Sequence, residues 1–319
     1  MGIGQITADY YYDNSPFPEF PVCGLVTTHP VGEKWITDTA ASATAIATGV
    51  KTQTGAVSMS KEGEKLATVL EIAKDIGKST GIVVTTSITQ PTPACFISHF
   101  EEWGKEYQIA IQESQSSVNV FFGGGLRFFT NNTVLDSNLI EGMVKQGYEF
   151  VSNQSQLETL DSEKEDKVIG LFAYEAMKRA DLRDLSLSLM TEKAVKILDN
   201  SKKGFFLMVE GSQIDWRCHE RDKDGFLVEM KDFTNAIKWA FEYQESNPDV
   251  LIVVCSDHET GGLCLVEDSN ARGKARIKFA SRNHTANICP VFAKGRGQDN
   301  FIGFHDISDI GKILLNLVK

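Results

Sequence analysis

The chain has 319 residues, with 32 Lys plus Arg against 43 Asp plus Glu and a formal net charge of −11. A composition of 42 % apolar and 24 % charged residues supports a packed core and excludes a disordered chain. The acidic balance argues against nucleic acid or an anionic membrane as partner, and no apolar run nears the ~20 residues of a membrane span.

Met1-Gly2-Ile3-Gly4-Gln5 lacks the basic and apolar regions of a secretory leader, so the chain as given is expected to carry no export signal. Trp35-Ile36-Thr37-Asp38-Thr39 leads into a helix of small residues, 40–48, that Gly49 stops. A hydroxyl in its first turn would face free backbone N–H groups and the positive end of the helix dipole, a place that suits phosphate. The plainer alternative is that Asp38 or Thr39 only caps the helix. Residues 64–76 place Leu66, Val69, Leu70, Ala73 and Ile76 at helical spacing, and 81–86 (GIVVTT) follows as a buried strand. Gly123-Gly124-Gly125 reads as a tight loop, because no Gly-Lys-Ser/Thr follows it.

The stretch 131–184 is more polar and less regular, an expected insertion or peripheral layer within one domain spanning 1–319. Beyond it come a helix over 191–198, a strand over 205–209 (FFLMV), a helix over 230–243, an Asn-Pro-Asp turn at 247–249 and a strand over 250–255 (VLIVVC). Arg272, Lys274, Arg276 and Lys278 alternate as the solvated face of a strand. A last helix over 307–318 is expected to pack on the sheet edge. Apolar strands alternating with amphipathic helices predict an α/β fold, with a mostly parallel central sheet and helices on both faces. Six cysteines without a CxxC pair are too sparse for a disulfide scaffold and wrong for a zinc ribbon.

Ligands of open parallel sheets collect at the carboxyl ends of strands. After GIVVTT comes Thr89-Gln90-Pro91-Thr92. After FFLMV come Glu210, Asp215, Trp216 and His219. After VLIVVC come Asp257, His258 and Glu259. Asp215 and His219, four apart, share a helix face and can grip one ion, and His284 is a candidate third ligand. Asp257-His258 offers a second carboxylate and imidazole, while Glu210 and Thr92 offer hard oxygens suited to Mg²⁺. His29, His99 and His305 have no such partners and read as surface or core residues.

Six segments in this order, ITDTAASATAIATGVKT, ITQPTPACFISH, FFGGG, GFFLMVEGSQIDWRCH, VVCSDHETGG and NHTANICPVFAKG, resemble the alkaline phosphatase family. The resemblance runs over nearly the whole chain. It implies an alkaline phosphatase-like fold and hydrolysis of small phosphate monoesters at two zinc ions and one magnesium. It implies a first zinc on Asp215, His219 and His284, a second on Asp257 and His258, and magnesium on Thr92 and Glu210. Thr39 stands where the family has its nucleophilic Ser, implying a covalent phospho-threonine intermediate. Trp216, the form several bacterial members show after the zinc Asp, joins Thr39 as the expected substrate-binding pair. By the same resemblance the protein is expected in the periplasm or outside the cell, as a homodimer.

Three departures bear on these expectations. Family members begin with a strand ending in Gly-Asp-Gly-Met-Gly, whose Asp bridges the second zinc and the magnesium. Here Met1-Gly2 matches only the end of that motif, so a central strand is expected to be absent, leaving either two unpaired sheet edges or a rearranged sheet. The nucleophile is Thr, whose methyl stiffens χ1 and crowds phosphorus, although its hydroxyl remains usable. Trp103 stands where the family clamps phosphate with a bidentate Arg, beside Glu101 and Glu102, with Lys105 as the nearest cation; Gln90-Pro91 replaces another pair near the magnesium site. A metal-holding homologue with weak or no turnover, and a sister phosphodiesterase or sulfatase, are therefore the alternatives.

Overall fold

The structure is a computed structural model and describes residues 1–268 and 275–319. In chain order its strands are β1 (Val22–Thr27), β2 (Ser79–Ser87), β3 (Val120–Gly124), β4 (Glu149–Val151), β5 (Val168–Leu171), β6 (Phe205–Glu210), β7 (Leu251–Val254), β8 (Glu259–Thr260), β9 (Leu263–Glu267), β10 (Ala275–Phe279), β11 (His284–Thr285), β12 (Cys289–Gly295) and β13 (Gly303–Asp306). Five form a wholly parallel sheet in the order β4-β5-β3-β2-β6. Ile82 and Val84 of β2 join Leu70 and Ala45 on one face, while Val83 between them joins Leu187 and Met190 on the other. Burial on both faces is why β2 is an unbroken apolar run and does not alternate.

A second sheet runs β13-β1-β12-β7, with β1 and β13 parallel and the other pairs antiparallel. Among the described residues, no strand pairs with the free edge of β6 or of β7. Both strands instead line a groove of about 1090 Å³, walled by Phe233 and Ile237 and by Leu314. The six residues of β6 are only half-buried, whereas β3 and β5 are buried throughout. Of the two outcomes the sequence allows, unpaired edges describe this fold.

Several helices begin where a side chain caps them, a signal finer than periodicity. The helix expected over 64–76 is Val69–Asp75, because Thr68 and Glu71 close a reciprocal capping box at its start. The helix expected from Thr191 begins one turn earlier and spans Leu187–Leu198, with the Ser186 oxygen accepting from the Leu189 N–H at 3.1 Å. The helix over 230–243 is the middle of Lys223–Ser246, capped by Asp222. The last helix, Ile307–Leu317, meets the edge strand β13, as expected, but packs chiefly on the helix Thr39–Thr48. Gly311 permits this: a Cβ there would lie 2.3 Å from the Ala45 carbonyl oxygen. The stretch 131–184 contains β4 and β5, the outer two strands of the parallel sheet. Of the four alternating cations, Arg272 and Lys274 lie outside the described residues, and Lys278 is exposed on β10.

The loops leaving β2, β6 and β7 and the first turn of Thr39–Thr48 line one cavity of about 410 Å³. It is the crevice at strand carboxyl ends where open α/β sheets hold ligands.

Candidate metal centre and nucleophile

Asp38 caps the helix, accepting from the Ala41 N–H (3.0 Å) through one oxygen and from the Gly55 N–H (2.7 Å) through the other. The hydroxyl of Thr39 is therefore spared from capping, and it lies 3.1 Å from His258 Nε2. Ser42 is no substitute, because its hydroxyl donates back to the Asp38 carbonyl at 2.8 Å.

Asp215 and His219 stand on the helix Gln213–Glu220 that follows β6, with Asp215 Oδ2 and His219 Nε2 3.4 Å apart. His284 belongs to β11, and its Nε2 is 3.7 Å from Asp215 Oδ1. Asp257 and His258 follow β7, with Asp257 Oδ2 and His258 Nε2 3.0 Å apart. Antiparallel pairing of β8 with β11 sets His258 beside His284, and their rings stack with centroids 3.5 Å apart. One donor atom from each of Asp215, His258 and His284 lies within 4.8 Å of the other two. Glu210 ends β6 and accepts from Ser212 Oγ at 2.6 Å and from the Thr92 hydroxyl. Trp216 and Trp103 line the cavity; Lys105 does not.

The hydrogen bonds behind these side chains test whether the set suits a metal. His219 Nδ1 meets the Arg282 carbonyl, and His284 Nδ1 meets the Thr37 carbonyl at 3.0 Å. A carbonyl only accepts, so both rings carry a proton on Nδ1 and turn the Nε2 lone pair toward Asp215. The Thr260 hydroxyl donates to Asp215 Oδ1, leaving its oxygen 3.2 Å from His258 Nδ1 to accept from that ring. Each Nε2 thus points at a carboxylate. Lone pairs and carboxylates so arranged repel one another unless a proton or a metal cation lies between them, and oxygen-backed imidazoles with carboxylates are the donor set zinc takes.

The electrostatics agree. Burial alone would raise the Asp215 carboxyl, but the hydrogen bond with His219 and the charge of His258 hold it well below the usual range. Burial likewise opposes ionisation of Asp257, and His258 overcomes it. Asp215 lifts His219 to about 9. Burial works against His258 too, yet Asp257 raises it, while burial and the neighbouring His258 lower His284. Burial pushes Glu210 up to about 7 against the hydrogen bonds of Ser212 and Thr92. Protons and a metal would compete for the same lone pairs here.

Sequence reasoning missed Ser212, Thr260 and the carbonyls of Thr37 and Arg282. Thr260 had a signal: in an extended segment, residues i and i+2 share a side, which puts it with His258.

The alkaline phosphatase family model matches residues 11–270. Alkaline phosphatase 4 of Bacillus subtilis strain 168 is 39 % identical over 265 residues, covering 79 % of this chain and 56 % of that protein. Alkaline phosphatase 3 of the same strain is 39 % identical over 287 residues, covering 84 % and 61 %. The chain thus spans about three-fifths of the length of these curated relatives. Among solved structures, the alkaline phosphatase of the Antarctic bacterium TAB5 superposes with a TM-score of 0.93 at 31 % identity, over 99 % of this chain and 95 % of that one. A mutant of that enzyme holds Mg bound in the M3 site. Fold, strand-end residues and sequence similarity agree, and the chain belongs to the alkaline phosphatase family.

Proposed function

We propose that the chain hydrolyses phosphate monoesters through a covalent intermediate on Thr39. The observation that carries this reading is the Thr39 hydroxyl, uncommitted to capping and 3.1 Å from His258 Nε2, at the edge of the converging imidazoles and carboxylates. Asp215, His219 and His284 would hold one zinc, Asp257 and His258 a second, and Thr92 and Glu210 a magnesium. When bound, such cations supply the charge that stabilises the entering and leaving oxygens of an in-line displacement. The protein positions the rest. Asp38 and the helix dipole fix Thr39 in the first turn, where N–H groups face phosphoryl oxygens. Thr39 Oγ1 forms a bond to phosphorus as the ester oxygen departs with its electron pair. Water then breaks the Oγ1–P bond, releasing phosphate and restoring the hydroxyl. Trp216 lines the cavity and would bind substrate together with Thr39.

One observation favours a second reading, a metal-holding chain with weak or no turnover: Trp103 lines the cavity, and among the described residues no Lys or Arg side chain does. By resemblance to the family we place the protein outside the cytoplasm, as a homodimer. No helix among the described residues is long and apolar enough to cross a membrane.

The test is p-nitrophenyl phosphate hydrolysis at alkaline pH by zinc- and magnesium-loaded protein, beside Thr39→Ala. The expected result is turnover by the parent, loss to background in Thr39→Ala, and equal zinc content in both. Equal rates in parent and variant, with zinc bound in both, would establish the second reading instead.

A further inference from the structure

The ribbon that brings His284 beside His258 is short. β8 and β11 have two residues each, and their register is Glu259 opposite Thr285 and Thr260 opposite His284. Side chains alternate along a strand, and opposed residues of an antiparallel pair share a face. Thr260 and His284 accordingly face Asp215, while Glu259 and Thr285 lie on the reverse face. So small a ladder is marginal by itself, and a slip of one residue would turn His284 away from the centre. The reverse face supplies what the backbone lacks. Glu259 is 1 % exposed, and its Oε1 accepts from Gln5 Nε2 at 2.7 Å and the Leu263 N–H at 3.3 Å. Its Oε2 accepts from the Thr285 hydroxyl, the Gly262 N–H at 3.2 Å and Asn287 Nδ2 at 3.4 Å. Gln5 is itself buried on the helix Ile3–Tyr12, where Nε2 also donates to the Thr260 carbonyl at 2.8 Å and Oε1 accepts from the Gly2 N–H at 2.9 Å. A Cβ on Gly2 would lie 2.5 Å from Glu259 Cγ, so glycine there lets the helix start against this side chain.

We propose that Glu259 is a positioning residue of the metal centre, whose carboxylate ties Thr285 of β11 to β8 and so holds His284 against His258. The proposal rests on the reading of Asp215, His258 and His284 as cation ligands and is independent of any step at Thr39. The donors divide the work. Gln5 and the N–H groups of Gly262 and Leu263 immobilise the carboxylate, and the Thr285 hydroxyl then fixes the residue next to His284. An ionised carboxylate suits this place because both of its oxygens only accept, so it can receive all of these neutral donors at once. Bonds to such a charged acceptor are also stronger than neutral ones. A carboxamide of the same shape would set its own N–H groups against N–H donors. Glu259 touches no ligand atom of the centre; it acts through Thr285 and through the strand it shares with Thr260.

The test measures zinc affinity of the purified full chain by chelator competition, together with the unfolding midpoint of each sample. Glu259→Gln and Thr285→Val are each expected to bind zinc about tenfold more weakly than the parent, or worse. Thr285→Ser, which keeps the hydroxyl, is expected to stay within twofold. Gly311→Ala controls for stability, since its methyl meets the Ala45 carbonyl oxygen and no residue of this ribbon; it is expected to lower the midpoint and leave zinc affinity within twofold. A merely structural Glu259 would behave like that control, with a lower midpoint and unchanged zinc affinity, and this result overturns the proposal. Zinc affinity of Thr285→Val within twofold of the parent overturns it too, and decides the case should Glu259→Gln fail to fold. Should the parent bind no zinc, the ligand reading fails, and the positioning claim is decided by nuclear Overhauser contacts between the His258 and His284 rings. Contacts present in the parent and Thr285→Ser but lost in Thr285→Val support it. Contacts absent from the parent, or unchanged in Thr285→Val, overturn it.

Discussion

Replacing Thr260 by Val isolates the polar support of the centre from its ligands. Thr260 is 1 % exposed on β8, and Val has nearly the same shape and the same β-branched preference for a strand. What disappears is one hydroxyl between Asp215 Oδ1 and His258 Nδ1. Its loss leaves a buried carboxylate oxygen short of a donor and an imidazole N–H without an acceptor. Hydrogen bonds to charged groups contribute about 1.5–3 kcal/mol. At ~1.4 kcal/mol per tenfold, zinc affinity is expected to fall by roughly 10- to 100-fold, which is also the range for lost support of a metal ligand. The assay is zinc competition against a chromogenic chelator with purified metal-free protein, beside the unfolding midpoint of the same samples. Thr260→Ser restores the hydroxyl and is expected to bind close to the parent. Zinc affinity of Thr260→Val within twofold of the parent, or Thr260→Ser as weak as Thr260→Val, would refute the reasoning.

Three other outcomes follow from the same geometry. Gly311→Ala would press a methyl against the Ala45 carbonyl oxygen (2.3 Å) and the Gly49 nitrogen (2.5 Å), backbone atoms that cannot swing aside. A loss of about 1–3 kcal/mol in denaturant unfolding is expected, and an unchanged midpoint would contradict the helix contact. Chelation is expected to lower the thermal midpoint, since zinc held at 100 times its Kd adds about 2.7 kcal/mol to the folded state; a midpoint indifferent to chelator and to added zinc would dismiss the metal centre. Glu113 is buried with no hydrogen-bond partner on either oxygen, and burial, reinforced by Glu106, pushes its carboxyl well above the usual range. Between the unfolded pKa near ~4.3 and that raised value, the folded state holds a proton that the unfolded chain releases, so this group's stability contribution is lost as pH rises. Glu113→Gln is therefore expected to raise the unfolding midpoint at pH 8 and barely at pH 4, and equal shifts at both would argue against a buried neutral acid.

How much of this could be read from the sequence depended on where the information lay. β2 and β6 are legible because parallel strands between helical layers are apolar at nearly every position, as GIVVTT and FFLMV are. β1 and β12 are not, because Val22–Thr27 pairs with residues from the other end of the chain, as in Val26 opposite Cys289, and no local pattern encodes that register. The strand-end carboxylates and imidazoles were legible because their side chains are metal-competent wherever they stand. Their supports were harder to see. Every residue has a carbonyl, and only the fold determines that those of Thr37 and Arg282 meet imidazole nitrogens. Helix starts slipped by a turn where Thr68 and Ser186 terminated the periodic run earlier or later than the apolar spacing implied.

The groove between β6 and β7 bears on how the molecule comes apart. Among the described residues the two sheets share no ladder hydrogen bond across it, so cohesion between them is carried by helices such as Lys223–Ser246, which touches both β7 and the helix Leu187–Leu198. Side-chain packing alone transmits cooperativity more weakly than a continuous ladder of backbone bonds, and sub-global opening starts at such seams. Amide exchange is accordingly expected to be fastest along β6 and β7 and slowest in β3 and β5. In concentrated solution the same two rims are the natural templates for aberrant pairing between copies, a liability most sheets suppress with charge or proline.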